Sequence, residues 1–176
     1  LKWMGGLLKS LYVLRCTLES SPILKRLFKV PMYLSIVSFF KLDYINDDYL
    51  DIKRAQELII NDKYVKFNKY KVQIAGDYLV ILEPNGLKHE ILFSNDQSSS
   101  ISWLGEPDIV FECSGKNTEA KNCSGYFTNK TKTVLISATS WDSEKTLVYG
   151  FNHEEYHPDL KLISYGSCTV NAYLPL

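Results

Sequence analysis

The sequence lacks an excess of either charge and lacks closely paired cysteines. Lys and Arg number 20 against 20 Asp and Glu in 176 residues, so there is no electrostatic reason to expect binding to nucleic acid or to an acidic membrane surface. No C-x-x-C motif occurs, which favours reduced thiols over a disulfide framework or a zinc site. The four cysteines are Cys16, Cys113, Cys123 and Cys168.

No segment predicts a membrane span or a signal peptide. The apolar segment 32–40 is too short to cross a bilayer. Lys9 and Arg15 interrupt the leucine-rich beginning, and no small-residue cleavage site follows it. A hydrophobic content of 45% is enough for one core, and the length indicates one domain. We therefore expect a folded cytoplasmic protein without a membrane partner.

Two apolar runs in the second half of the chain predict a parallel βαβ unit. Residues 108–115 and 133–138 are rich in β-branched residues, and each run ends in small polar residues. The polar segment between them predicts a helix from Thr118. Two further short strands are predicted at 148–150 and 160–164. Strands that alternate with helices in this way indicate an α/β fold with a parallel sheet.

The first half of the chain predicts one helix and an antiparallel insertion. Apolar residues recur at helical spacing from Leu50 to Ile59, which predicts an amphipathic helix. Extended segments are predicted at 64–67, 71–74, 78–82 and 87–93, with turn signals between them.

A cysteine lies just beyond the last predicted strand, at Cys168 in the sequence Ser-Cys-Thr-Val-Asn. At the start of a helix, unpaired backbone N–H groups and the helix dipole favour thiolate over thiol, so this position is typical of a nucleophile. The alternative is a buried cysteine that acts as a small hydrophobic residue.

Several blocks in register identify the family that the chain resembles. Residues 108–115 (D-I-V-F-E-C-S-G), 134–138, 150–152 and 163–171 (I-S-Y-G-S-C-T-V-N) stand in the order and spacing of glyceraldehyde-3-phosphate dehydrogenase. The resemblance runs from about Asn46 to the end. Val170 stands where the family has threonine, and Thr139 stands where it usually has proline.

The resemblance implies an NAD-dependent, phosphorylating aldehyde dehydrogenase that works through a covalent intermediate. Cys168 is the implied catalytic nucleophile, glyceraldehyde 3-phosphate and phosphate are the implied substrates, and the product leaves through a thioester. Ser167 and Thr169 are the implied substrate-binding residues. For Ser167 and for Asn171, ordinary helix capping is an equally good interpretation.

The implied cofactor is NAD, although its glycine loop departs from the family pattern. Gly5 keeps the middle glycine, while Trp3 and Leu8 replace the first and third. Asp47 resembles the family's ribose-binding acid, and the alternative is that Asp47 and Asp48 cap the following helix. The implied cofactor-binding positions are Gly5, Gly6, Leu7, Asp47, Asp96, Ser114, Gly115 and Ser137.

These observations predict an incomplete Rossmann-like NAD-binding domain at 1–167, with 1–45 matching poorly, and the start of a catalytic-domain helix at 168–176. Almost nothing precedes Gly5, so we expect the first strand to be missing or reduced and its neighbours in the sheet to lack ladder partners. The implied enzyme is a homo-oligomer when complete. Its preference for NAD or NADP, and for glyceraldehyde-3-phosphate or erythrose-4-phosphate, stays open.

The chain begins with Leu1 and ends soon after Cys168, which predicts a truncated enzyme without a catalytic domain. His89, His153 and His157 all precede Cys168 and match none of the family's catalytic histidine positions. We therefore expect little turnover from the lone chain. The alternatives are a non-catalytic fragment that binds nucleotide or a complete subunit, and a reactive thiol without a dehydrogenase role.

One motif matches the pattern of a zinc site, but its neighbouring residues do not favour the helix that such a site needs. Residues 153–157 read H-E-E-Y-H, which matches the H-E-x-x-H pattern of zinc proteases. That chemistry needs both histidines on one helix face. Pro158 biases His157 away from the helical region, and Gly150 lies just upstream, so we predict no metal site.

Overall fold

The computed structural model describes residues 11–15 (backbone only), 41–61 and 69–174, and these residues form one mixed sheet with three helices. The sheet order is β3-β4-β5-β2-β1-β6-β7-β9-β8. The strands are β1 (Leu11–Arg15), β2 (Lys41–Asn46), β3 (Lys71–Ala75), β4 (Tyr78–Leu82), β5 (Lys88–Ser94), β6 (Ile109–Glu112), β7 (Thr133–Ile136), β8 (Lys145–Thr146) and β9 (Leu162–Ser164). The helices are α1 (Ile52–Ile60), α2 (Ala120–Cys123) and α3 (Cys168–Tyr173).

Most strands of the sheet run in one direction. β2 is parallel to β5, and β6, β7, β9 and β8 are mutually parallel. Since β1 is antiparallel to both β2 and β6, β2 and β6 point the same way. The carboxyl ends of β5, β2, β6, β7 and β9 therefore meet at one edge, where α/β proteins place their ligands.

Two apolar clusters form the core. One contains Val110, Val134 and Leu162 from the parallel strands together with Trp103 and Tyr126. The other cluster joins β2, β3, β4 and β5 to α1. Helix α1 buries Ala55 and Ile59 there, and the Asp51 side chain caps its start by accepting from the Arg54 N–H at 2.8 Å. None of the helices in the described ranges is long and apolar enough to cross a membrane.

The structure confirms the βαβ unit and the antiparallel hairpins. β6 and β7 are parallel in register, with α2 between them, as the alternating pattern predicts. β3, β4 and β5 pair antiparallel in sequence order. The helix predicted from Leu50 begins at Ile52, because Asp51 supplies the cap. The predicted strand at 64–67 lies outside the described residues.

Two expectations about strands are wrong. β2 and β6 do not lack ladder partners, because β1 fills the central position in the reverse direction. Backbone hydrogen bonding accepts either direction, so a five-residue strand is enough to close the gap. No strand forms at 148–150. β8 forms instead at Lys145–Thr146, where the chain lies parallel to β9.

Candidate functional site

Polar residues gather at the edge where the parallel strands end. Asn46 and Glu112 are the last residues of β2 and β6, and both are buried, with 4% and 1% exposure. Ser137 follows β7, and Cys168 follows β9 by four residues. Buried polar groups are tolerated in a protein only when they are hydrogen-bonded, so the partners of Asn46 and Glu112 define the loops around this edge.

Glu112 organises the loop after β6. Its Oε1 accepts from the Ser114 N–H at 2.7 Å and from the Ser114 hydroxyl. Its Oε2 accepts from the Tyr126 hydroxyl at 2.7 Å and from the Asn117 amide at 3.0 Å. Four donors thus compensate for the burial of one carboxylate. The Ser114 backbone and the Asn117 side chain are consequently held in fixed positions.

The buried carboxylate influences two neighbouring acids. Burial raises the pKa of the Tyr126 hydroxyl, and the charge of Glu112 raises it further. Burial likewise raises the pKa of the Cys123 thiol to about 12, with smaller contributions from Glu112 and Asp142. Both groups therefore stay protonated at neutral pH. Cys123 donates to the Asn117 carbonyl at 3.3 Å, which makes it part of the structure of this loop.

Asn46 plays the corresponding part at the end of β2. Its Oδ1 accepts from the Ser94 hydroxyl at 2.8 Å and from the Asp96 N–H at 2.9 Å, and its Nδ2 donates to the Asp96 carbonyl at 3.0 Å. The buried Trp103 donates to Ser94 at 2.9 Å. Asn46 thereby ties the loop after β5 to the end of β2.

Asp47 and Asp48 follow Asn46 but face different surroundings. Asp47 is 3% exposed, and its Oδ1 accepts from the backbone N–H groups of Tyr49 and Leu50 at 2.9 and 3.1 Å. Asp48 instead forms an ion pair with Lys116 at 2.8 Å. Neither residue caps α1, whose cap is Asp51.

A shallow, open cleft lies between the loops after β2 and β6. It lies at the end of β1. On one side of β1 the neighbouring parallel strands are β2 and β5, and on the other side they are β6, β7 and β9. The residues that line it at these two loops are Asn46, Asp48, Glu112, Ser114, Lys116 and Asn117.

Cys168 is exposed at the first position of α3. The Ser167 hydroxyl caps this helix by accepting from the Val170 N–H at 3.1 Å. The Asn171 amide donates to the carbonyls of Tyr165 and Ser167 at 2.6 and 2.9 Å. Ser167 thus caps α3 and Asn171 binds the backbone carbonyls just before it, in line with the capping interpretation, and their direct roles in binding stay predictions. Thr169 is exposed next to Cys168 in the sequence.

The predicted site residues fall into two groups. Asp47, Asp96, Ser114, Gly115, Ser137, Ser167, Cys168 and Thr169 all lie in the loops or first helical turn that follow the carboxyl ends of the parallel strands. Of these, Ser114 lines the cleft directly. Gly5, Gly6 and Leu7 lie outside the described residues. Their roles in binding stay predictions.

The H-E-x-x-H segment does not form a continuous helix. His153–Glu155 is a single 3-10 turn, and Tyr156 is extended. All three histidines have other partners: His89 lies 2.7 Å from Glu83, His153 accepts from the Gly150 N–H at 3.0 Å, and His157 pairs with Asp159 at 3.1 Å.

The parallel strands, the shared carboxyl edge and the cleft at its turning point define an α/β protein with a partial Rossmann-like domain. Comparison with known proteins narrows this class. The chain is 33% identical over 134 residues to glyceraldehyde-3-phosphate dehydrogenase of Echinococcus multilocularis and 35% identical over 133 residues to that of Ogataea parapolymorpha. Each match covers 75% of this chain and 38% of the relative.

A shorter match supports the same relationship. The enzyme of that name from Zymomonas mobilis is 43% identical over 70 residues, which is 39% of this chain and 21% of the relative. No protein-family model matches the chain. The chain is therefore glyceraldehyde-3-phosphate dehydrogenase-like, and it spans 38% of the length of the first two relatives.

The described part of the site fits a nucleotide cofactor. Gly115 has a φ of +71°, and a Cβ built there meets no atom within 4 Å, so the backbone after β6 is open to close approach. No buried side-chain polar atom in the described ranges lacks a hydrogen-bond partner. A cofactor would therefore meet backbone and partly exposed groups around the cleft.

Sequence reasoning missed Glu112, Asn117, Tyr126 and Lys116. A weak signal existed for Glu112, because an acid that closes a buried apolar strand must find donors. No comparable signal existed for Lys116, whose partner Asp48 is 68 residues away in sequence.

Proposed function

We propose that this chain is the NAD-binding part of a phosphorylating glyceraldehyde-3-phosphate dehydrogenase, with residues 1–167 as the nucleotide domain and 168–176 as the start of the catalytic helix. One observation carries the proposal: Cys168 is exposed at the first position of α3, after a parallel strand that ends at the same edge as the cleft. The relatives' name supports the reaction type.

In this proposal the chain supplies the nucleophile. The Cys168 sulfur attacks the aldehyde carbon of glyceraldehyde 3-phosphate, oxidation of the adduct leaves a thioester, and phosphate cleaves it. Bound NAD supplies the hydride acceptor. Ser167 fixes the first turn of α3 through its bond to Val170, and Thr169 lies next to the thiol for substrate contact.

In this proposal the loops that follow β2, β5, β6 and β7 bind the cofactor. Ser114 and Gly115 offer a side chain and an open backbone beside the cleft. Asp96 is assigned by resemblance alone, since its backbone N–H and carbonyl already bind Asn46, and Ser137 lies beyond β7. Asp47 is assigned to the ribose by resemblance alone, since its Oδ1 already accepts from two backbone N–H groups. Gly5, Gly6 and Leu7 complete the proposed cofactor contacts.

A second candidate is a non-catalytic fragment that binds nucleotide or a complete subunit. It is favoured by the three histidines, because each has a partner other than the thiol. Loss of a general base from such a site costs about a hundred- to ten-thousand-fold in rate. A cytoplasmic location and assembly into a homo-oligomer belong to the first proposal and rest on the resemblance.

Two measurements on the isolated chain separate these candidates. Calorimetric titration with NAD tests cofactor binding, and NADH formation with glyceraldehyde 3-phosphate and phosphate tests turnover. Turnover that disappears in Cys168→Ser and persists in the control Cys113→Ser supports the enzyme. NAD binding without turnover supports the fragment. An absence of NAD binding at millimolar concentration contradicts the first proposal and the nucleotide-binding form of the second.

A further inference from the structure

Lys116 brings a positive charge into the cleft. Its Nζ lies 2.8 Å from Asp48 Oδ2 and 4.2 Å from the centroid of the Tyr49 ring. It therefore joins the loop after β6 to the loop after β2. Among the described residues that line the cleft, Lys116 is the one cation.

The position of Lys116 is set by the buried acid. The Lys116 N–H donates to the Ser114 hydroxyl oxygen at 3.0 Å, and that hydroxyl donates to Glu112. Glu112 is buried and accepts from three further donor groups. The backbone from which Lys116 projects is thus fixed by contacts in the core, so its side chain starts from a defined place at the cleft.

The ammonium group stays charged and keeps donor capacity. Hydrogen bonding to Asp48, and then to Tyr49, raises the pKa of Lys116. A lysine ammonium has three N–H donors. Asp48 takes one of them and Tyr49 a second, and the Tyr49 ring also faces the charge through a cation–π contact. The remaining capacity is available to an anion in the cleft.

The direction of β1 bears on the role of the Lys116 charge. In Rossmann-like sites a helix that begins directly after the central strand presents its N-terminus to the pyrophosphate. Here β1 is reversed: Leu11 pairs with Asn46 at the cleft edge, and Arg15 pairs with Lys41 at the opposite edge. Among the described residues that line the cleft, the positive charge comes from Lys116.

We propose that Lys116 binds a phosphate oxygen of the dinucleotide, and that Asp48 and Tyr49 hold its ammonium group in the cleft. The proposal rests on the proposed function, because it assumes a nucleotide at this edge. In this proposal Lys116 binds the ligand. Asp48 positions the Lys116 ammonium group and partly neutralises its charge.

The decisive variant is Lys116→Met, which keeps an unbranched apolar stem and removes the charge. We expect about a tenfold weaker calorimetric affinity for NAD and an unchanged affinity for adenosine, which has no phosphate. The matched control is Lys121→Met. Lys121 also forms an exposed ion pair, with Glu119 at 2.6 Å, but it does not line the cleft. Equal thermal unfolding midpoints show that both variants fold.

Asp48→Asn should change the affinity for NAD in the opposite direction. Without the carboxylate, Lys116 has no competing anion, so we expect NAD to bind about threefold more tightly and its affinity to fall more steeply with salt. NAD affinity in Lys116→Met within twofold of the parent overturns the Lys116 assignment, and so does an equal loss for adenosine.

ADP separates failure of this assignment from failure of the proposed function. If the parent binds ADP but not NAD, and Lys116→Met weakens ADP tenfold, the phosphate contact is supported and the dehydrogenase proposal fails. If the parent binds NAD and Lys116→Met binds it equally, the Lys116 assignment fails alone. If neither ligand binds the parent, both fail.

Discussion

The two halves of the sheet on either side of β1 each have a strand that ends in a buried polar residue beside the cleft, but the two residues differ in charge. On one side, β2 ends in the neutral Asn46, which exchanges three hydrogen bonds with Ser94 and Asp96. On the other side, β6 ends in the charged Glu112, which accepts four. Both residues fix the loop that borders the cleft.

The difference shows what a buried charge requires. The Asn46 amide is balanced by Ser94 and Asp96, whereas the Glu112 carboxylate takes donors from three residues of the segment that follows it. Tyr126, which lies 14 residues after Glu112, supplies one of these donors through its buried hydroxyl. The charged group is therefore satisfied by a segment that directly follows it in the chain, whereas Asn46 connects residues 48 and 50 positions apart.

Removal of the charged group should have the largest effect. Glu112→Ala leaves the donors of Ser114, Asn117 and Tyr126 without their acceptor, and we expect the free energy of unfolding to fall by about 3 kcal/mol. Urea denaturation measures this. Glu112→Gln is the control of equal size and should lose about half as much, since one oxygen remains. A loss below about 1 kcal/mol in the alanine variant would show that the network contributes little.

Removal of the neutral group should cost less. Asn46→Ala loses three hydrogen bonds, so we expect a loss of about 2 kcal/mol and faster amide exchange at Asp96. Asn46→Asp keeps the two accepted bonds but places a buried charged oxygen against the Asp96 carbonyl, so we expect a loss of about 2 kcal/mol or more. If Asn46→Ala proved as damaging as Glu112→Ala, charge would not distinguish the two halves.

The helix caps should differ between the halves as well. Asp51→Ala removes the cap of α1, a helix that buries two residues, and should lower global stability by about 1 kcal/mol. Ser167→Ala removes the cap of α3, which buries none, and should change global stability by only about 0.3 kcal/mol while amide exchange at Val170 accelerates. Asp51→Asn and Ser167→Thr keep the caps. Equal global losses would contradict this difference.

The variant with the smallest expected effect on stability at neutral pH is Cys123→Ala, and its effect appears at alkaline pH. Burial raises the pKa of Cys123 from 9.0 to about 12, so the unfolded thiol loses its proton at a lower pH than the folded one. Stability is therefore retained below about pH 9 and falls as the pH rises towards 12. Urea denaturation at graded pH should show a shallower decline in Cys123→Ala than in the parent. Parallel declines would mean that Cys123 does not contribute.

Local pattern was enough to predict much of the fold. The β-branched runs of β6 and β7, the helical spacing of α1 and the turn signals around β4 each carry their structure within a few residues. The sequence around Cys168 likewise predicted a thiol at the start of a helix, because the serine that caps the helix and the cysteine follow the strand within four residues.

Long-range pairing could not be predicted in this way. β8 is a two-residue strand that exists because it meets β9, so its own residues carry no strand signal. The direction of β1 depends on its neighbours β2 and β6. Lys116 and Asp48 meet only because the two loops share one edge. Each of these features belongs to the assembled sheet.

The reversed strand β1 also has a consequence for cooperativity. In the described sheet, its five residues carry every ladder connection between the hairpin half and the parallel half. A ladder this short transmits little free energy by itself, so the apolar contact of Tyr44 with Trp103, whose ring centroids are 5.1 Å apart, must help to couple the halves. Local opening of β1 is therefore expected to weaken the connection between the two halves before either apolar cluster is disrupted.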